Sequence, residues 1–253
     1  MRPIVQVAVC EEVVSSIVKL EDVELIPVLQ CEPFRFAAED RLPPAGTYKD
    51  MPEEWDRYWR KSMADSGIKG LTPIEPGSWH VPTSQFNNTA LLNRVLEAIF
   101  HDLTETGFDI DLECMPLLGG LALRSQSQVL VEPGCCADLG ELAGWRKAVD
   151  YRQVEWRSVS NGHPWVLARY DPPRLSLSEP QEGLRAPTPR WAVCPNQLRD
   201  AAVAAAVEIE RFSDEIIRAM PSSCEVDPRR LGRRLAGLNG ATNDKQAIAE
   251  FRA

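Results

Sequence analysis

The sequence contains no apolar run near the ~18 residues that a membrane-spanning helix requires, so no membrane span is expected. It also lacks the phosphate-cradling patterns G-x-x-x-x-G-K-[ST] and G-x-G-x-x-G, the nucleophile turn G-x-S-x-G, the zinc pattern H-E-x-x-H and any C-x-x-C pair. An enzymatic reading therefore has no motif to rest on. Histidine is scarce: His80, His101 and His163 are the only three, which leaves few sources for acid/base chemistry or metal ligation. Basic charge is also short. Lys and Arg total 28 against 37 Asp and Glu, a formal net charge of −9, which weighs against phosphate neutralisation and hence against nucleic acid as the main ligand. A basic protein partner or a neutral small molecule fits that balance better.

The start, Met1-Arg2-Pro3-Ile4-Val5-Gln6-Val7-Ala8-Val9-Cys10, has one basic residue and a short apolar run ended by two glutamates. That is too little for a signal peptide, and a cytoplasmic protein is expected. The seven cysteines agree: they show no framework spacing, and most sit beside apolar residues, as reduced thiols do. The 253 residues, 44% hydrophobic and 26% charged, suffice for a sizeable core without a disulfide or metal staple.

Along the chain, residues 4–10 and 23–30 read as strands, and 12–20 fits strand or helix equally well. Pro52 to Met63 reads as a helix: proline stands at its first position, Glu53 and Glu54 in its first turn, and Trp55, Tyr58, Trp59 and Met63 fall on one face. The prolines of 66–88 predict an irregular segment. Asn88-Thr89 caps a second helix with Leu91, Leu92, Val95, Leu96, Ile99, Phe100 and Leu103 on its apolar face, ending at Gly107.

A meander should follow, with a strand over 109–118, a break at Gly119-Gly120, a strand over 121–124, a turn at 125–128 and a strand over 129–131. Asn161-Gly162 suits a two-residue type I′ turn joining 155–160 to 164–169. Residues 171–195 read as a connecting loop with one strand at Arg174 to Ser178, and Asn196 to Met220 as a long alanine-rich helix. Asp227-Pro228 opens a last helix carrying Arg229, Arg230, Arg233 and Arg234, whose plainest reading is a solvated face. No repeat or low-complexity tract is present. The expected fold class is α+β, a mixed but mostly antiparallel sheet with helices packed against it. Residues 1–195 form the α+β domain, and 196–253 are a helical C-terminal segment packed on it.

Three constellations bear on chemistry. Cys135-Cys136, in the stretch EPGCCADL, could supply a nucleophile at a helix N-terminus with His163 as base, but Glu132 and Asp138 would raise a thiol pKa. The preferred reading is two buried, unreactive thiols at the entrance of a helix capped by Asp138, with Leu139, Leu142, Trp145, Ala148 and Val149 as its apolar face. Asp109-Ile110-Asp111-Leu112-Glu113 places three carboxylates on one strand face, suited to a cation or, more plainly, to solvent.

The two-residue turn at 161–162 would pair Ser158 with Trp165 and Trp156 with Leu167, putting Trp156, His163, Trp165 and Leu167 on one hairpin face. Pro164 would leave an open strand edge beside them. No cofactor and no metal is expected. The function that follows is a non-enzymatic protein-interaction module with an acidic surface, of the immunity-protein or adaptor kind, with Asp138, Trp156, His163 and Trp165 as binding residues. The alternative is an enzyme or small-molecule binder using a recess around Cys135, Asp138, His163 and Trp165.

Overall fold

The computed structural model describes residues 17–105, 116–160, 162–183, 186–220 and 227–238, with side chains of 101–105 excepted. The strand expected over 4–10, the acidic run 109–113 and the helix stop at Gly107 lie outside these residues. The fold is α+β, with five helices and two sheets among the described residues. In chain order the elements are β1 (Val18–Lys19), β2 (Val23–Gln30), α1 (Pro52–Asp65), β3 (His80–Pro82), α2 (Thr89–Glu105), β4 (Gly119–Ser125) and β5 (Gln128–Val131). There follow α3 (Leu142–Val149), β6 (Arg157–Ser158), β7 (Leu167–Asp171), β8 (Arg174–Ser178), β9 (Pro189–Val193), α4 (Pro195–Ala219) and α5 (Pro228–Leu235).

The strands divide into an antiparallel sheet β3-β2-β4-β5 and a mixed sheet β1-β9-β8-β7-β6, in which only β1 pairs in parallel. Local chemistry explains most helices. In α1, Trp55, Tyr58, Trp59 and Met63 are all buried, as their spacing requires. Asn88 Oδ1 accepts from the amides of Ala90 and Leu91 at the start of α2, and Asp227 accepts from Arg229 at the start of α5. The buried stripe of α4 runs through Leu198, Ala202, Ala205, Ile209, Phe212 and Ile216, its alanines letting the helix lie close on β2 while also meeting α2, α3 and α5. One hydrophobic core takes side chains from both sheets and from α1 to α5. Arg233 of α5 reaches Glu210 of α4 at 2.9 Å, so the basic cluster is partly tied inward.

Three expectations are corrected. Gly119-Gly120 is not a break but the first part of β4, paired with Leu29 and Val28. A Cβ on Gly119 would stand 2.0 Å from the Val28 carbonyl oxygen, so glycine is there for a close backbone approach. Residues 171–195 contain a second strand, β9, which tolerates Pro189 because proline can begin a strand. Within the irregular 66–88, residues 80–82 add the edge strand β3.

The largest correction is the hairpin register. Arg157 pairs with Ala168 and Ser158 with Leu167, two residues further along than a two-residue turn allows. Gly162 does not have a positive φ, which a type I′ turn would demand. The turn with two positive φ values is Gln126-Ser127, at 49° and 67°, joining β4 to β5 without a glycine.

Candidate functional site

Freed from the hairpin, residues 162–165 cross to other parts of the chain. His163 and Cys135 exchange backbone hydrogen bonds of 2.9 and 3.1 Å, and Trp165 does the same with Gln181 at 3.0 Å in each direction. The edge beside His163 and Trp165 is therefore paired, not open as Pro164 suggested. The crossing depends on small residues: a Cβ on Gly134 would lie 2.5 Å from the His163 carbonyl oxygen, and one on Gly162 would lie 2.7 Å from the Ala137 Cβ. The buried Glu141 holds the junction, accepting from Leu121 N of β4 and Gly162 N at 3.2 Å each.

This junction forms one end of an open cleft of about 580 Å³. Its other walls are β5 with the following Glu132-Pro133, the Tyr48-Lys49 corner ahead of α1, and the Glu75–Ser78 turn. Among the described residues β5 is the terminal strand of its sheet. Its Val129 amide faces away from β4 and donates to the Glu75 carboxylate. A side recess of about 140 Å³ leads off the cleft between Tyr48, Trp79, His80 and Glu132. Its aromatic wall belongs to a five-ring cluster in which Trp79 meets Phe34, Tyr48 and Trp55 at centroid distances of 5.7, 5.9 and 5.8 Å, and Tyr58 meets Trp55 at 5.6 Å.

The loop carrying Tyr48 is anchored on α1, because Arg41 and the Ala38 amide both bond to Asp65 and Ser66 Oγ donates to the Phe36 carbonyl at 2.8 Å. Glu132 is the electrostatic centre. Ser78 Oγ donates to its Oε2 at 2.6 Å, and His80 Nδ1 lies 2.8 Å from the same oxygen. Burial works against the charge of Glu132, but these two hydrogen bonds and the nearby Lys49 outweigh it and set its pKa below the usual value. Glu75 goes the other way. Partial burial and the charge of Glu132 raise its pKa, despite the Val129 hydrogen bond. Burial and Glu132 likewise push the Tyr48 phenol up.

No family model, curated protein or solved structure matches the chain. The site is therefore read from its own geometry.

Of the residues singled out in the sequence, Cys135 and His163 line the cleft. Trp165 stands edge-on to His163 at 4.4 Å and is 40% exposed. Asp138 is not in the cleft: it accepts from Gly140 N at 2.6 Å as the cap of the turn Leu139–Glu141 that leads into α3, and burial raises its pKa. The apolar face expected behind that cap, from Leu139 to Val149, is buried. Trp156 lies elsewhere, under the guanidinium of Arg169 at 5.0 Å. Cys135 and Cys136 are both exposed, which corrects the expectation of buried thiols. The two strand-like bridges at Leu118–Asp138 and Cys135–His163 hold this segment as a surface ribbon ahead of the helix. Among the described residues no group of His, Cys, Asp and Glu could hold a metal ion.

Sequence reasoning missed Tyr48, Lys49 and Glu75 entirely and gave Ser78 and Glu132 no ligand role. The signal for Glu132 was only its place next to Pro133-Gly134. Nothing local connects it to His80, 52 residues away.

Proposed function

We propose that the protein is a non-enzymatic interaction module, of adaptor or inhibitor type, that takes an extended basic segment of a partner protein in the cleft along β5. One observation carries this reading: the edge of β5 that no other described strand pairs forms a wall of a cleft whose charged groups are Glu75 and Glu132, with Lys49 facing them. A strand edge supplies backbone hydrogen bonds to an extended chain, and the side chains around it supply selection. The cleft volume lies within the ~300–1,000 Å³ of small-molecule pockets, but its openness to one side along a strand favours a chain that continues beyond it. The Glu75 carboxylate on the Val129 amide protects the edge while it is empty, as charged groups commonly do at sheet edges. The net charge of −9 favours encounter with a basic partner. Free thiols at Cys31, Cys135, Cys136 and Cys194 suit a reducing compartment such as the cytoplasm. Among the described residues, no helix is long and apolar enough to cross a membrane.

The experiment is a selection of random seven-residue peptides on the folded protein, repeated on Val129→Pro. The substitution removes the outward amide and keeps the inner pairing with β4. Enrichment of basic, β-prone peptides that bind the native protein and not the variant is expected, with the variant's circular dichroism unchanged. Enrichment of neutral or acidic peptides, or binding indifferent to Val129→Pro, overturns the proposal.

A further inference from the structure

The side recess off the cleft is too small for the segment itself, at about 140 Å³ against the ~300 Å³ at which small-molecule pockets begin. That volume suits one side-chain head group. Two aromatic side chains, Tyr48 and Trp79, stand 5.9 Å apart by ring centroid on its lining, and Glu132 lines the same recess. Glu132 is held by two hydrogen bonds that both fall on Oε2, which leaves Oε1 with no hydrogen bond among the described residues. His80, which also lines the recess, fixes the orientation of Glu132 through Nδ1.

Aromatic faces and a carboxylate oxygen left unused on one small cavity describe a receptor for a flat cation with N–H donors. The chain's own chemistry points the same way. The Lys49 ammonium sits 5.9 Å from the Tyr48 ring centroid, on the cleft side, so the ring already attracts a cation there.

We infer that the recess is a specificity pocket for an arginine side chain of the partner, with the guanidinium stacked against the aromatic wall and donating to Glu132 Oε1. Lysine would satisfy the charge but presents a compact, strongly hydrated ammonium that does not stack as a plane on the aromatic wall. The inference deepens the strand-addition reading and rests on it for the rest of the partner, because the backbone on β5 is what would carry the arginine to the recess mouth.

The test needs no partner. Methylguanidinium and methylammonium are titrated separately into the ¹⁵N-labelled protein, and the indole N–H signals of Trp79 and Trp165 are followed by NMR. Methylguanidinium should give a saturable shift at Trp79 in the millimolar range and none at Trp165, with methylammonium at least several-fold weaker. Glu132→Gln should abolish the shift, and Tyr48→Leu, which keeps the carboxylate, should weaken it several-fold, each variant retaining a native spectrum. Equal affinity for the two cations overturns the arginine preference, and no saturable shift overturns the pocket. Either failure leaves the peptide selection on Val129→Pro standing on its own. Conversely, a guanidinium shift at Trp79 together with peptide binding indifferent to that variant would keep the pocket and discard the strand addition.

Discussion

Trp59 shows how much a single side chain of α1 holds. It is 1% exposed, and its indole N–H donates to the Cys31 carbonyl at 2.9 Å, fastening the helix to the end of β2. Trp59→Ala removes a buried aromatic and strands that carbonyl, so a loss of about 3–5 kcal/mol is expected in urea unfolding. An unmoved midpoint would contradict the burial. The cysteines separate by environment. Cys31 is fully buried and its thiol pKa is pushed far up by desolvation, whereas Cys135 and Cys136 are exposed. A thiol reagent at neutral pH, read by peptide-resolved mass spectrometry, should modify Cys135 and Cys136 in the folded protein and reach Cys31 only after unfolding. Protection of the exposed pair would place the 133–136 ribbon under a cover that the structure does not show. Cys136 adopts φ 62°, a conformation uncommon outside glycine, asparagine and aspartate, and Cys136→Gly should be tolerated at that position.

At the scale of elements, the pairing of β2 with β4 is the tightest constraint. Gly119→Ala forces a Cβ onto the Val28 carbonyl, and backbone cannot swing aside as a side-chain tip can. Its cost should exceed the ~1–3 kcal/mol of ordinary overpacking, measured by denaturant unfolding. A variant as stable as the native protein would show that β4 begins later than Gly119. The loop ahead of α1 is a second unit, and its anchor titrates. The side-chain bond to Arg41 and the Ala38 amide bond hold Asp65 at a pKa of about 2, below the ordinary 3.8. Because the folded value is the lower one, this stabilisation is complete above the unfolded carboxylate pKa and is lost as pH falls through about 2. A carboxyl ¹³C titration should place the Asp65 midpoint near that value, with the Tyr48 ring signals moving in step as the loop is released. A midpoint near 4 would mean that the anchor does not persist in solution.

For the whole molecule, α4 decides whether the parts unfold together. Ile209 is fully buried on a helix that touches β2, α2, α3 and α5. Ile209→Ala should cost about 2–5 kcal/mol and lower the tryptophan fluorescence and far-ultraviolet circular dichroism transitions together. Transitions that part company would assign α4 to a separately unfolding segment.

The helices were legible in the sequence because their causes are local. An apolar stripe at 3.6-residue spacing and a capping residue three positions from its amide lie within one short window, and so Pro52, Asn88, Asp138 and Asp227 could all be read as helix or turn starts. The glycine-containing pairs were not legible in the same way. Asn161-Gly162 has the letters of a tight hairpin turn, but Gly162 serves a close crossing with 134–137, while the tight turn with positive φ falls on Gln126-Ser127. A local pattern says that a glycine is needed, and only the partner backbone says why. The same holds for the cleft. Glu132, His80, Tyr48 and Glu75 come from four segments whose meeting is decided by how two sheets and α1 share one core. A carboxylate reads as solvated surface in any sequence until packing places two hydrogen-bond donors and an aromatic wall around it.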